Sequence, residues 1–237
     1  MTSPEKNLTE HAGHALVTGS SSGIGKAIAA RLLADGWRVT GLDRAAPAIK
    51  LPGFTALQLD LLEATESTLG AALRATTPVS ALVHAAGFMR TGRLGALKAE
   101  DGEAMWRLHV GAAALLADML APGLPAGGRI LLVGSRAAAG AAARSQYAAT
   151  KAALTGMARS WAIELAPRGI TVNVIAPGAT DTPMLRDPAR RAEPPVKPPI
   201  GRFVRPEEVA ALAAFVLSAD AAAITGQQLV ICGGASL

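Results

Sequence analysis

The chain has 237 residues, of which half are hydrophobic and 17% are charged. This balance favours one compact domain with a sizeable core and argues against intrinsic disorder. The formal charge of +5 comes from Arg and Lys residues that are not gathered into one dense run, so nucleic-acid binding is not expected.

Residues 1–14 lack the long apolar run of a secretory signal, and no later apolar stretch has the length of a membrane span. A cytoplasmic protein is therefore expected. Cys232 is the only cysteine, so neither an internal disulfide nor a metal site is predicted.

Apolar runs of strand length alternate with longer Ala- and Leu-rich stretches of helical period, the pattern of repeated βαβ units. Strands are predicted at residues 15–18, 38–42, 56–59, 81–84, 129–133, 171–175 and 228–231. Helices are predicted at residues 24–34, 63–75, 103–120, 145–165 and 206–217. The expected fold is a single α/β domain over residues 1–237, a doubly wound Rossmann-type fold whose seven-stranded, mostly parallel sheet carries helices on both faces.

One segment, 183–205, breaks the composition because it is dense in Pro and Arg. Its six prolines forbid a long regular helix, so an extended or turn-rich excursion above the sheet is expected. Loops after the carboxyl ends of the strands form the ligand crevice of a doubly wound fold, and the segment is therefore predicted to be a substrate lid. A surface loop without function is the alternative.

The first predicted strand runs through a glycine turn directly into a helix. Glycines there let the backbone turn tightly and approach a pyrophosphate, whose charge the N–H groups and positive end of the helix attract. The residues expected to form this cofactor turn are Gly19, Ser21, Ser22, Gly23, Ile24 and Gly25. The spacing is not the common G-x-G-x-x-G, so a turn without a ligand is the alternative, but the order of strand, turn and helix favours a dinucleotide.

Asp43 stands at the carboxyl end of the second predicted strand, at about the interval after the glycine turn expected for a ribose contact. A carboxylate there accepts hydrogen bonds from the ribose diol and repels a 2′-phosphate, which favours NAD over NADP. Arg44 follows directly and could soften this preference. An ordinary residue of a strand-end turn is the alternative for Asp43.

Tyr147 is the only tyrosine, and Lys151 follows four residues later in a segment of helical character. On a helix the two residues share a face. A free phenol releases its proton near pH ~10, but a neighbouring ammonium and the positive nicotinamide both favour phenolate, so the pair can act as an acid/base at neutral pH. A Tyr-x-x-x-Lys pattern is common by chance, and on its own it is weak evidence.

Taken in chain order, these signals resemble the short-chain dehydrogenase/reductase family over nearly the whole chain. The resemblance is carried by Thr18 to Gly25, by Asp60 and Leu61, by His84 to Gly87, by Ser135 with Tyr147 and Lys151, and by Asn173 to Gly178. It implies further cofactor contacts from Asp60, Leu61, Ala85, Ala86, Gly87, Val110, Tyr147, Lys151, Pro177, Gly178, Thr180 and Thr182.

The resemblance also implies an NAD-dependent oxidoreductase that transfers hydride between nicotinamide and a secondary alcohol, ketone or cyclic diol of a small molecule. In that reaction Tyr147 exchanges the proton of the substrate oxygen and Ser135 hydrogen-bonds the same oxygen. Lys151 lowers the pKa of Tyr147 and binds the nicotinamide ribose hydroxyls.

Two histidines stand where the family usually has asparagine. His109 occupies the position of a catalytic Asn, and an imidazole that titrates near pH ~6.5 can hold a water and pass a proton, which would make activity sensitive to pH. A structural histidine bonded to backbone is an equally open alternative. His84 is interpreted as structural. The interval from Ser135 to Tyr147 is one residue shorter than usual, so either Ser135 is shifted or the loop between them is tightened.

Within the family, the chain has a weaker similarity to the 2,3-dihydro-2,3-dihydroxybenzoate dehydrogenase subgroup. The stretches that carry it are 87–90, 177–184, 205–208 and 233–234. Arg90, Arg186, Arg190 and Arg191 could pair with a substrate carboxylate, although solvated surface charge is the commoner role of each.

The resemblance implies a homotetramer formed through the Ala- and Gly-rich helices at 107–120 and 148–163, with packing on the chain's own sheet as the alternative. Two other functions stay open. One is an NADP-dependent keto or acyl reductase, which Asp43 disfavours. The other is a dinucleotide-sensing regulator with little turnover, which His109 and the short interval from Ser135 to Tyr147 motivate and which the presence of Tyr147 and Lys151 disfavours.

Overall fold

The computed structural model describes residues 13–74, 76, 78–188 and 194–237. Seven strands form one sheet, namely β1 (His14–Thr18), β2 (Arg38–Asp43), β3 (Phe54–Gln58), β4 (Ala81–His84), β5 (Arg129–Val133), β6 (Thr171–Pro177) and β7 (Gln228–Ile231). Their order is β3-β2-β1-β4-β5-β6-β7, and every pairing is parallel. The predicted doubly wound fold is confirmed, with a sheet that is parallel throughout the described residues.

The helices are α1 (Gly23–Ala34), α2 (Glu66–Arg74), α3 (Ala99–Trp106), α4 (Ala112–Leu120), α5 (Ser145–Leu165) and α6 (Pro206–Leu217). Helices α5 and α6 begin and end at the predicted residues. The region predicted as one helix over 103–120 is instead α3 and α4 joined by a five-residue π-helical turn, Arg107–Gly111. We call this segment the π-turn. A π-turn leaves local backbone groups available to other partners, a feature that helical periodicity does not reveal.

Other bounds differ from the prediction by one or two residues in α1, β1, β2, β3 and β6, and by three residues at the start of α2. Helix α2 begins at Glu66 rather than at residue 63, since the Leu62 N–H donates to Asp60 Oδ1 (2.9 Å) in a turn and the Thr68 N–H donates to the Thr65 hydroxyl (3.2 Å) at the helix start. The predicted end of this helix at residue 75 lies outside the described residues. The third strand runs over Phe54–Gln58 rather than 56–59, in register with β2.

Side chains alternate along the strands into two apolar layers. Leu16, Leu82 and Leu132 face one layer, against α4 and α5, while Val17, Val83 and Leu131 face the other, against α1 and α6. Strands buried on both faces require such continuous apolar runs. Among the described residues, no helix combines the length and the apolar character that a membrane span needs.

The chain reverses its strand order between β1 and β4, so the segments that leave these neighbouring strands diverge. This is the topological switch point at which open α/β sheets bind ligands. The described part of the segment 183–205 starts with a single short 3₁₀ turn, Pro183–Arg186, and continues from residue 194 as extended chain and turns. That conformation agrees with the prediction from its prolines.

Candidate active site

A cavity of about 640 Å³ opens at the carboxyl ends of the central strands. Most of the predicted site residues line it: Gly19, Ser22, Gly23, Ile24, Gly25, Asp43, Asp60, Leu61, Ala85, Ala86, Gly87, His109, Ser135, Tyr147, Lys151, Pro177, Gly178, Thr180 and Thr182. Ser21 and Val110 are absent from this lining. The Ser21 N–H donates to Asp43 Oδ2 (2.9 Å), and Val110 is buried in the π-turn. The fold thus brings residues from opposite ends of the chain to one cavity.

The glycine turn has room for backbone only. Gly19 has φ +69°, and a Cβ added to it would lie 2.9 Å from the backbone of Ala86. A Cβ on Gly25, in the first turn of α1, would lie 2.2 Å from the carbonyl oxygen of Gly19. Helix α1 therefore starts directly over the turn and presents its N-terminal N–H groups at the cavity. This cradle fits the pyrophosphate of a dinucleotide.

Asp43 is held by backbone at the end of β2. Its Oδ2 accepts the Ser21 N–H and its Oδ1 accepts the Ala45 N–H, each at 2.9 Å. An ionised carboxylate has about four acceptor positions, so two remain for the hydroxyls of a ribose. Arg44 extends away from the core with a largely exposed side chain and lies 3.8 Å from Asp60. Two carboxylates and one exposed cation therefore line this end of the cavity.

His84 is a neutral structural residue. The Thr18 hydroxyl accepts the N–H groups of Ala85 (3.1 Å) and Ala86 (3.0 Å), which leaves its own proton for His84 Nδ1 (3.1 Å). Nε2 of His84 then donates to the Leu108 carbonyl of the π-turn (3.1 Å). Burial, followed by the positive charge of Lys151, lowers the pKa of His84 to about 3. The imidazole thereby ties the cofactor turn, the loop after β4 and the π-turn together.

His109 is neutral for the same reason. Its Nε2 accepts the Phe88 N–H (3.2 Å), so Nδ1 carries the proton and donates to the Thr150 hydroxyl (2.9 Å). The Thr150 hydroxyl in turn donates to the Tyr147 carbonyl (2.8 Å). Burial, followed by Lys151 and His84, lowers the pKa of His109 well below 6.5. His109 is thus held by one backbone N–H and one side-chain hydroxyl, and its lowered pKa favours the neutral ring.

Tyr147 and Lys151 lie one turn apart on α5, as their spacing predicts, and both are buried. Lys151 Nζ donates to the Val133 carbonyl (2.9 Å) and lies 5.9 Å from the centroid of the Tyr147 ring. Burial lowers the pKa of Lys151 from 10.5 to about 7. Lys151 therefore changes its protonation near neutral pH, in the same cavity that Tyr147 lines.

Ser135 follows the end of β5 and lines the same cavity as Tyr147. Its hydroxyl accepts the Ala137 N–H (3.1 Å), which leaves the hydroxyl proton for another acceptor. The loop between Ser135 and Tyr147 contains Ala143 with φ +57°, in the left-handed region. Ala143 is the single non-glycine residue with positive φ in the described part of the chain.

The arginines proposed to bind a carboxylate are already engaged where the structure describes them. Arg90 lies 3.5 Å from Asp187 and 3.8 Å from Asp101, and Arg186 bonds Asp181 at 2.6 Å. Arg190 and Arg191 lie outside the described residues. Sequence reasoning missed three other cations that do line the cavity, namely Arg136, Arg144 and Lys197. The available signal was position, because Arg136 directly follows Ser135 and Arg144 precedes Tyr147 by three residues.

Comparisons with known proteins agree with this geometry. The family model adh_short_C2, described as enoyl-(acyl carrier protein) reductase, matches residues 19–236. The 2,3-dihydro-2,3-dihydroxybenzoate dehydrogenase of Escherichia coli K12 is 34% identical over 238 residues, which cover 93% of this chain and 96% of the relative.

Two solved structures share the fold over nearly the whole chain. A short-chain dehydrogenase from Burkholderia cenocepacia in complex with NADP has a TM-score of 0.85 and 36% identity over 96% of this chain and 99% of its own. A 3-ketoacyl-(acyl-carrier-protein) reductase from Brucella melitensis complexed with NADH has a TM-score of 0.84 and 28% identity over the same shares. The chain belongs to the short-chain dehydrogenase/reductase family and is an oxidoreductase of that family.

Proposed function

We propose that this enzyme uses NAD to interconvert a secondary alcohol, or a cyclic diol, and the corresponding ketone of a small molecule. The observation that carries the proposal is the convergence of Ser135, Tyr147 and Lys151 on a cavity that also contains the glycine cradle and Asp43. When bound, the nicotinamide would accept or supply the hydride. The side chains of the protein would supply binding, orientation and proton transfer.

Tyr147 is proposed as the acid/base. During oxidation its side-chain oxygen takes the proton of the substrate hydroxyl, and during reduction it returns that proton to the carbonyl oxygen. The Ser135 hydroxyl donates a hydrogen bond to the same oxygen and so orients the reacting carbon. Lys151, when protonated, favours the phenolate form of Tyr147 and offers N–H donors to the nicotinamide ribose.

The preference for NAD rests on Asp43. Its carboxylate, fixed by the Ser21 and Ala45 N–H groups, can accept the two ribose hydroxyls of an adenosine. A 2′-phosphate at the same place would meet a like charge. The second candidate is an NADP-dependent keto or acyl reductase, which the neighbouring Arg44 and the NADP complex of the Burkholderia cenocepacia relative favour.

The test combines cofactor binding with turnover. Calorimetric titration of the protein with NADH and with NADPH should give tighter binding of NADH, and tighter binding of NADPH would support the second candidate. A panel of alcohols, sugars and cyclic diols is then incubated with NAD while NADH absorbance is followed.

Tyr147→Phe should lower turnover of any substrate found by about 10²- to 10⁴-fold while leaving NADH affinity almost unchanged. Full turnover by that variant would refute the assigned role of Tyr147.

We also propose a cytoplasmic homotetramer assembled through the helices at 107–120 and 148–163. Trp106, at the end of α3, and Ile163, near the end of α5, are large apolar side chains with exposed fractions of 49% and 78%. Contact with a second copy would cover such surface. Light scattering coupled to size-exclusion chromatography measures the mass directly, and a monomer at micromolar concentration would contradict the assembly.

A further inference from the structure

Three cations of the cavity have no anionic partner in the described part of the chain. Arg136, Arg144 and Lys197 line the cavity, and none of them forms an ion pair or side-chain hydrogen bond with a described residue. The side-chain carboxylates that line the cavity belong to Asp43, the last residue of β2, and to Asp60, which follows β3. The charges of Arg136, Arg144 and Lys197 are therefore not paired with a described carboxylate side chain, unlike those of Arg90 and Arg186.

Arg144 is the most constrained of the three. Its N–H donates to the Ala141 carbonyl (3.2 Å), and its own carbonyl accepts the Ala148 N–H (2.7 Å). The preceding residue, Ala143, has positive φ and accepts the Gly92 N–H (2.9 Å). Strained backbone of this kind persists only where surrounding bonds enforce it, and it clusters at ligand sites. Loop and helix together hold Arg144 one turn before Tyr147.

The guanidinium of Arg144 also has an unmet bonding requirement. Its Nε is buried and has no hydrogen-bond partner among the described residues. Arg38 and Arg129 share this feature, and because protein covers the Nε of Arg144, a ligand in the cavity can reach the guanidinium only through its other nitrogens. A carboxylate supplies two acceptor oxygens in the planar geometry that a guanidinium matches.

The remaining wall of the cavity is largely apolar. Phe88 and Met89 follow β4, Met184 and Leu185 follow β6, and Val196 belongs to the segment 183–205. A ligand that satisfies both the cations and these side chains carries an anionic group on an apolar body. A neutral sugar or a polyol would leave the apolar wall in contact with hydroxyl groups.

We propose that Arg144, assisted by Arg136, binds the carboxylate of an apolar hydroxy or oxo acid and so selects the substrate by charge. This inference rests on the proposed function for the reacting carbon and adds the class of molecule that carries it. Arg144 anchors the carboxylate, the apolar wall holds the body of the molecule, and the alcohol or ketone carbon then lies at Tyr147. Lys197, which lines the same cavity, adds a third positive charge.

The test uses benzoate and benzamide, which have nearly the same size and differ in charge. Each compound is titrated calorimetrically into the NADH-saturated protein, and the ratio of the two dissociation constants is compared among variants. Wild-type protein should bind benzoate about 10- to 100-fold more tightly than benzamide, the usual range for a charge-assisted pair. Arg144→Leu should abolish this preference, and Arg144→Lys, which keeps the charge without the planar fork, should retain part of it. Unchanged NADH affinity confirms that each variant is folded.

Arg74→Leu is the matched control, since Arg74 is an exposed arginine at the end of α2 outside the cavity lining, and it should keep the wild-type ratio. The proposal is overturned if benzoate fails to bind at millimolar concentration, if the two compounds bind equally to wild type, or if Arg144→Leu keeps the preference. Tyr147→Phe should keep the benzoate preference while losing turnover. A charge preference without turnover of any compound would contradict the proposed reaction alone, and turnover of neutral ketones without a charge preference would contradict the carboxylate site alone.

Discussion

His109 Nδ1 lies 2.9 Å from the Thr150 hydroxyl, and this bond joins the π-turn to the helix that carries Tyr147 and Lys151. Because Nε2 accepts the Phe88 N–H, the tautomer of the ring is defined and the Thr150 hydroxyl is its acceptor. His109 thus works in this structure as a positioning group, with hydrogen bonds at both ring nitrogens.

Replacing Thr150 with valine should therefore destabilise the fold. Thr150→Val keeps the volume of the side chain but leaves the buried Nδ1–H of His109 without an acceptor, which costs about 1–3 kcal/mol. Urea unfolding measures the loss. Thr171→Val is the matched control, because the Thr171 hydroxyl is equally buried and has no hydrogen-bond partner among the described residues, so this change should be neutral or stabilising. Equal losses in both variants would show that the bond between His109 and Thr150 contributes nothing.

The two neutral histidines should make the protein sensitive to mild acid. Both have folded-state pKa values below the ordinary 6.5, to about 3 for His84, so only the unfolded chain takes up these protons as the pH falls. The two histidines therefore leave the free energy of unfolding at its full value above pH ~6.5. Below that pH each of them lowers it by up to about 1.4 kcal/mol per pH unit.

Urea unfolding at pH 7, 6 and 5 tests this, since most carboxyl groups titrate below that window. His84→Asn removes one of the two groups and should roughly halve the loss of stability between pH 6.5 and pH 5. An identical pH dependence in wild type and variant would exclude His84 as a contributor.

The buried ammonium of Lys151 should lower the free energy of unfolding, although the proposed reaction uses this residue. Its folded-state pKa of about 7 is below the ordinary 10.5 because of burial, so the unfolded chain binds more protons between these values. The free energy of unfolding should therefore rise as the pH rises from 7 to 9. Below pH ~7, where Lys151 is charged in the folded protein as well, the cost of burying that charge should have its full value.

Lys151→Met keeps the length of the side chain without the charge. The variant removes the penalty of burying a charge but also loses the hydrogen bond to the Val133 carbonyl, so the net rise in the free energy of unfolding at pH 6 should be about 1–3 kcal/mol. The free energy of unfolding of the variant should also change less between pH 7 and pH 9 than that of the wild type. The same variant should lose turnover. Destabilisation by this change at pH 6 would mean that Lys151 is held charged by groups other than those described.

Asp43 should determine the choice of dinucleotide. Asp43→Asn keeps the acceptor oxygen for a backbone N–H but removes the negative charge, so the ratio of the dissociation constants of NADPH and NADH should fall by at least about tenfold. Calorimetry with both cofactors gives the ratio. Asp35→Asn removes an exposed carboxylate paired with Arg31 on α1 and should leave the ratio at its wild-type value. A ratio that does not respond to Asp43→Asn would assign the preference to Arg44 or to shape.

The sequence was most informative where local signals agree. Strands β4, β5 and β7 and helices α5 and α6 have their predicted bounds because apolar runs of the right period meet prolines, glycines or polar residues at both ends. The pairing of Tyr147 with Lys151 and the position of Asp43 after the glycine turn likewise follow from local spacing on a helix and a strand.

The features that were missed depend on residues far apart in the chain. The π-turn cannot be read from periodicity, and its Leu108 carbonyl is bonded by His84, 24 residues earlier. The neutral state of His109 depends on Phe88 and Thr150, which the sequence does not connect to it. The sequence does not distinguish Arg144 from other arginines, because its place in the cavity depends on a loop that the bond from the Gly92 N–H to the Ala143 carbonyl holds.

The absence of space around Gly19 and Gly25 limits how this protein can be altered. No side chain fits at either position without moving backbone, so this part of the binding surface offers no position for engineering. Redesign toward another dinucleotide has to work at the end of β2, where Arg44 is largely exposed and a replacement for Asp43 has to keep an acceptor for the Ser21 N–H.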